Sequence, residues 1–165
     1  MFEFKLLGRT RIPHHKNTAK MVPVKMPCPK EVLIPMVQHI GAPATPVVKV
    51  GDAVKVGQVI AEASGFVSAP IHASVSGKVV KIENYLLPDG KDTPAIRIES
   101  DGLMTVSEGV VPPDVKDLDS LVDAIKASGL VGLGGAGFPT AVKFEAAIDP
   151  TPFPRASTPE EITSF

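Results

Sequence analysis

The sequence predicts a mainly β fold, a small sandwich or barrel of short strands, followed by two helices. Between Val47 and Ile82, short β-branched runs recur at close spacing and are separated by Gly, Asp and Ser, which is the pattern of packed strands rather than of helices. A further alternating run, Ala95-Ile96-Arg97-Ile98-Glu99, returns after the turn sequence Pro88-Asp89-Gly90. Beyond Pro112-Pro113 the apolar period lengthens, with Leu118, Leu121, Val122 and Ile125 at the i, i+3, i+4, i+7 spacing of one helix face.

In chain order, residues 1–30 read as an extended arm. They are basic and broken by proline, with Arg9, Arg11, His14, His15, Lys16 and Lys20 close together and no sustained period. Glu31-Val32-Leu33-Ile34-Pro35-Met36-Val37 follows as a β-branched run that Pro35 restricts to an edge strand or a strand end. A tandem repeat comes next, Val48-Lys49-Val50-Gly51-Asp52 and Val54-Lys55-Val56-Gly57-Gln58. It predicts strands with valines on one face and lysines in water. Val59 to Glu62 continues as a strand that Ser64-Gly65 ends, and Ile71-His72-Ala73 and Lys78 to Ile82 are expected to pair about Ser76-Gly77. The β domain is thereby assigned to residues 31–111.

The helical part, residues 112–148, opens with Asp117 as N-cap, has Lys126 in the last turn of its first helix and Gly129 as the stop. Pro139 suits the first position of a second helix ending near Ile148. Residues 149–165, with Pro150, Pro152, Pro154 and Pro159, read as a disordered tail.

Composition excludes several function classes. The chain has 165 residues and a formal net charge of -1, which gives no general attraction to nucleic acid. A single cysteine, Cys28, rules out an internal disulfide and cannot supply the thiolates of an iron–sulfur cluster or a structural zinc site. It lies between Pro27 and Pro29 without an adjacent cation and reads as incidental. No apolar stretch approaches the roughly 20 residues that span a bilayer, so a cytoplasmic chain is expected, with membrane association only through partners. Of the four histidines, His14, His15, His39 and His72, none has a carboxylate or cysteine at ligand spacing. His72, between apolar neighbours on a strand, is expected to be a hydrogen-bonded structural residue.

The stretch with the most chemistry is Gly132-Leu133-Gly134-Gly135-Ala136-Gly137-Phe138-Pro139-Thr140-Ala141-Val142-Lys143. Glycines let backbone N–H groups approach an anion, a following helix start adds partial positive charge, and Lys143 adds a full one. Gly132, Gly134 and Gly137 formally satisfy G-x-G-x-x-G. A dinucleotide fold, however, needs a strand before that motif and an acid on a second strand about 20 residues later. Here a helix precedes it, and Glu160 and Glu161 lie in the tail. A Walker A loop fails as well, since Phe138 stands where lysine is required. On spacing alone, a phosphate cradle and a tight helix-to-helix connection both remain open.

The residues of this run, Gly134 to Thr140 with Lys143 beyond, resemble the flavin-binding signature shared by the flavoprotein subunit of respiratory complex I and the RnfC subunit of the Rnf electron transport complex. The complex I form usually has arginine before the paired glycines, where this chain has Leu133, so the Rnf form is the better match. Gln38-His39-Ile40-Gly41-Ala42-Pro43-Ala44 and Gly65-Phe66-Val67-Ser68-Ala69-Pro70-Ile71-His72-Ala73 are similar to the same family. The resemblance implies a barrel-sandwich hybrid of the biotinyl and lipoyl type, followed by the start of an α/β flavin- and NADH-binding domain. It also implies a peripheral subunit on the cytoplasmic face of the cell membrane, bound to the other subunits of its complex. Such a subunit moves electrons from NADH through FMN and iron–sulfur clusters, coupled to ion translocation.

Carried over residue by residue, Gly132, Gly134, Gly135, Ala136, Gly137 and Phe138 would form the loop at the nucleotide, and Lys143 would meet a phosphate. The family's acidic nucleotide segment and cysteine-rich cluster motifs are missing from this sequence. The expectation is therefore a truncated subunit, inactive alone, with weak flavin binding or none. A carrier role is disfavoured because Ser64 to Val67, where such domains present their modified lysine, contains none. A non-catalytic docking module remains the alternative.

Overall fold

The computed structural model describes residues 16–148. The expectations for His14, His15 and the tail fall outside them. Seven strands form two sheets: β1 (Glu31–Pro35), β2 (Thr45–Pro46), β3 (Ala53–Val54), β4 (Val59–Glu62), β5 (Ile71–His72), β6 (Gly77–Leu86) and β7 (Asp92–Ser100). One sheet has the order β1-β7-β6-β3 and the other β2-β4-β5, with every pairing antiparallel. The two sheets share one apolar core. Ile34, Val54, Val79, Ile96 and Ile98 face inward from the larger sheet, and Ile60, Ala61 and Ile71 from the smaller. Burial of the valines and isoleucines among them, each contributing roughly 1.5–3 kcal/mol, is what holds such short strands in place.

β1 is an edge strand that ends at Pro35, in line with the restriction proline imposes. β6 and β7 form the long hairpin, turning at Gly90 (φ 84°). On their outer face Arg97 reaches both Glu83, with Nη2 to Oε1 at 2.6 Å, and Glu31, so one guanidinium ties β6, β7 and β1 together.

Two expectations for this region are corrected. The valine–lysine repeat forms a pair of matched turns, and of its residues only Val54 lies in a strand, β3. Asp52 and Gln58 donate their N–H to the carbonyls of Lys49 and Lys55, each at 3.1 Å, with Gly51 (φ 101°) and Gly57 (φ 79°) at the positions that need positive φ. The Asp52 and Gln58 side chains accept from the N–H groups of Lys49 and Lys55 in return. Only the first valine of each unit, Val48 or Val54, enters the core, while Val50 in the turn is 60% exposed. Each turn then docks on the β structure in the same way, Gly51 and Asp52 on Val79, and Gly57 and Gln58 on Ala73. The second correction is that β5 and β6 do not pair. They belong to different sheets, and the chain crosses between sheets at Ala73 to Ser76.

Two helices complete the described residues, α1 (Leu118–Ala127) and α2 (Thr140–Ile148). Asp117 caps α1 in a reciprocal capping box with Ser120, and Gly129 (φ 68°) ends the helix in the left-handed region. Val122 of α1 and Ala141 and Val142 of α2 are buried, and Lys126 lies 3.5 Å from Glu145 across the pair. Pro139 is fully buried one residue before α2 and not at its first position.

Candidate functional site

The connection from α1 to α2 is a closed loop with an open apex. Its base is a single β-bridge, Val131 with Pro139, in which Gly132 N–H donates to the Phe138 carbonyl and Thr140 N–H to the Leu130 carbonyl, both at 2.9 Å. Leu133 to Ala136 form the exposed apex, and Leu133 is 95% exposed. A Cβ placed on Gly134 or Gly135 would meet nothing within 4 Å. Among the described residues, the N–H groups of Leu133 to Phe138 donate to no backbone acceptor.

Lys143, on the first turn of α2, folds back over this loop. Its Nζ lies 5.8 Å from the centre of the Phe138 ring and 3.2 Å from where a Cβ on Gly132 would stand. Among the described residues it pairs with no carboxylate. Gly132, Gly134, Gly135, Ala136, Gly137, Phe138 and Lys143 are thus brought together as one loop with a cation at its base. Its free donors and spare positive charge are the chemistry a phosphate needs.

The far side of the loop rests on the β domain. Ile40 N–H donates to the Ala136 carbonyl at 3.1 Å. Gly137 (φ 66°) packs so tightly that a Cβ there would lie 3.0 Å from the Gln38 carbonyl oxygen and 3.2 Å from His39 Cα. Gly129 similarly packs on the Pro70 carbonyl and the His72 ring. Between them lies a cleft of about 140 Å³ lined by Gln38, His39, Ala69, Pro70, His72 and Val131, among others.

The hydrogen-bonded role expected of His72 falls instead to His39. His72 makes no side-chain hydrogen bond among the described residues and packs its ring beside Gly129. His39 is the buried, hydrogen-bonded one: its Nε2 accepts from Ala69 N–H at 3.1 Å, and Nδ1 lies 3.0 Å from the Ile40 carbonyl. Sequence reasoning placed His39 in a family-like motif but gave it no partner, because Ala69 and the glycine loop are distant along the chain.

The place where a carrier domain would present its lysine is stapled down. Ser64 Oγ donates to the Pro43 carbonyl, Ala42 N–H to the Val67 carbonyl, and Ser68 Oγ to the Ala42 carbonyl. Cys28 is exposed, with Sγ 3.3 Å from Ser100 Oγ. Among the described residues no three or more His, Cys, Asp or Glu side chains are grouped to hold a metal ion. None of the described helices is long and apolar enough to cross a membrane.

The family model of the RnfC barrel sandwich hybrid domain matches residues 4–103. The chain belongs to the RnfC family. Three curated RnfC relatives agree with that assignment. The RnfC subunit of the Na(+)-translocating ferredoxin:NAD(+) oxidoreductase complex of Acetobacterium woodii is 47% identical over 142 residues, covering 82% of this chain and 32% of that protein. Its counterpart in the ion-translocating oxidoreductase complex of Pseudomonas aeruginosa is 44% identical over 144 residues, covering 84% of this chain and 19% of that protein. The counterpart in the proton-translocating ferredoxin:NAD(+) oxidoreductase complex of Clostridium ljungdahlii is 48% identical over 120 residues, covering 71% and 26% respectively. The chain therefore spans between about a fifth and a third of the length of these RnfC relatives. Their aligned regions extend beyond the β domain, since the domain match ends at residue 103 and two of the alignments are more than 140 residues long.

Proposed function

We propose that this chain works within an ion-translocating electron-transfer complex, where its β domain supports a loop, Gly132 to Phe138, that holds the phosphate of FMN. The observation that carries this reading is the open apex at Gly134 and Gly135 together with Lys143 at the base of the same loop, near Gly132 and Phe138, a cation without a carboxylate partner among the described residues. The fit is to the phosphate end of a nucleotide. Backbone N–H groups of the loop donate to its oxygens, Lys143 supplies charge, and the start of α2 adds its partial positive end. Bound flavin would supply hydride exchange with NADH or NAD+ and single-electron exchange with iron–sulfur centres. These 165 residues do not fit such a cluster, because one cysteine cannot ligate it.

Two of the relatives are named for transfer from ferredoxin to NAD+, so the nicotinamide stands at the accepting end in that direction; the same loop serves the reverse one. Relatives named for Na+ and for protons are almost equally similar to this chain, which supports placing the choice of ion elsewhere in the complex. Attachment to the membrane, at its cytoplasmic face, is through neighbouring subunits.

A second reading is a non-catalytic docking module, favoured by the near-complete exposure of Leu133 at the loop tip. Titration with FMN, followed by flavin fluorescence for the chain and for Lys143→Ala, separates the two. Weak binding that Lys143→Ala abolishes supports the phosphate loop, whereas no binding by either form supports docking.

A further inference from the structure

A backbone loop binds an anion well only when its N–H groups are already held in place. The glycine loop holds only its own base, at Val131 and Pro139; the support for Ala136 and Gly137 comes from the turn Gln38 to Ile40. That turn is itself anchored by His39, which is 7% exposed. Because Ala69 N–H is purely a donor, His39 Nε2 must carry the lone pair, and the neutral ring then bears its proton on Nδ1. Nδ1 faces the Ile40 carbonyl, which can only accept, so both contacts are satisfied by one tautomer.

We infer that His39 is the positioning residue of the nucleotide loop. Its imidazole, bonded to Ala69 on one side and Ile40 on the other, fixes the turn on which Ala136 and Gly137 rest. The inference deepens the phosphate-loop reading and rests on it. The hold of His39 on the loop is nonetheless measured without any ligand.

The test uses the full chain, labelled with nitrogen-15, in wild-type form and as His39→Gln, His39→Asn and His39→Phe. Glutamine places an acceptor within reach of Ala69 N–H, asparagine keeps only the contact near Ile40, and phenylalanine keeps neither. In the asparagine and phenylalanine variants the Ile40 amide should exchange with solvent about tenfold faster, while glutamine stays within about twofold of wild type. The amide signals of Gly134 to Phe138 should shift in the same two variants, and those of β6 and β7 should not. Gly137→Ala approaches the contact from the loop side with the His39 bonds intact. It should shift the Gln38 to Ile40 signals, and it serves if the His39 variants fail to fold.

Unmoved loop signals in the asparagine and phenylalanine variants would overturn the inference. So would a glutamine variant indistinguishable from phenylalanine, or Gly137→Ala changes confined to the loop. In parallel FMN titrations, a loss of at least about tenfold in affinity for asparagine and phenylalanine, spared in glutamine, supports it, and equal binding by all forms overturns it. Loop signals that respond to His39 in a chain that binds no FMN would uphold the positioning role and count against the phosphate reading alone.

Discussion

Ile40 donates its backbone N–H to the carbonyl of Ala136 at 3.1 Å, which joins the β domain directly to the glycine loop although the two residues are far apart in sequence. The β domain and the helical part are therefore one packed unit at this point, and perturbing their contact has consequences on both sides.

Gly129→Ala tests that packing. A Cβ there would stand 2.5 Å from the Pro70 carbonyl oxygen and 3.3 Å from the His72 ring, at a φ of 68°. The left-handed conformation alone costs a non-glycine residue about 1–2 kcal/mol, and the clash adds to it. Urea unfolding followed by helical circular dichroism should show a lowered midpoint, with the helices lost ahead of the β core.

Ile96→Ala should cost about 2–5 kcal/mol, the range for removing a large aliphatic side chain from a packed core. Ile96 is fully buried on β7, the strand that pairs with both β1 and β6. Ile82→Ala, on a side chain 37% exposed, should cost clearly less in the same urea titration. Equal losses would show that the core does not lie between the sheets.

Acid stability should depend on Asp101. Its carboxylate accepts from Ser76 Oγ at 2.6 Å and from Leu103 N–H at 2.8 Å, and these bonds, the Ser76 one first, hold its pKa below the ordinary value. The unfolded chain then takes up the proton first as pH falls. The stabilisation is complete above the ordinary carboxylate range, about pH 4, and is lost as pH drops through the lower folded value. Glu83 shifts in the same direction through Lys81 and then Arg97. Thermal melts of the chain and of Asp101→Asn should therefore differ most near neutrality and converge in strong acid. A difference that grows on acidification would contradict this sign.

Much of the fold was legible because local rules decided it. Pro35 marked an edge strand, Asp117 and Gly129 bounded α1, and Pro88-Asp89-Gly90 announced the long hairpin. The valine–lysine repeat misled because period-2 alternation is shared by strands and by the flanks of tight turns, and only Gly51 and Gly57 at positive φ reveal the turns. The pairing of β5 was illegible because sheet partners are chosen by the core as a whole, and Ile71 faces Ala61 across the smaller sheet. At the candidate site, spacing put Lys143 one turn beyond the glycine run but left a phosphate cradle and a tight helix-to-helix connection both open. His39 could not be given its partner, since Ala69 meets it only after folding.

The most direct test compares FMN with riboflavin, which differs by lacking the phosphate, on the nitrogen-15-labelled chain. FMN should shift the amide signals of Gly134 to Phe138 weakly but selectively, and riboflavin at the same concentration should leave them in place. Equal shifts with both compounds, or none with FMN, would contradict a phosphate-holding loop.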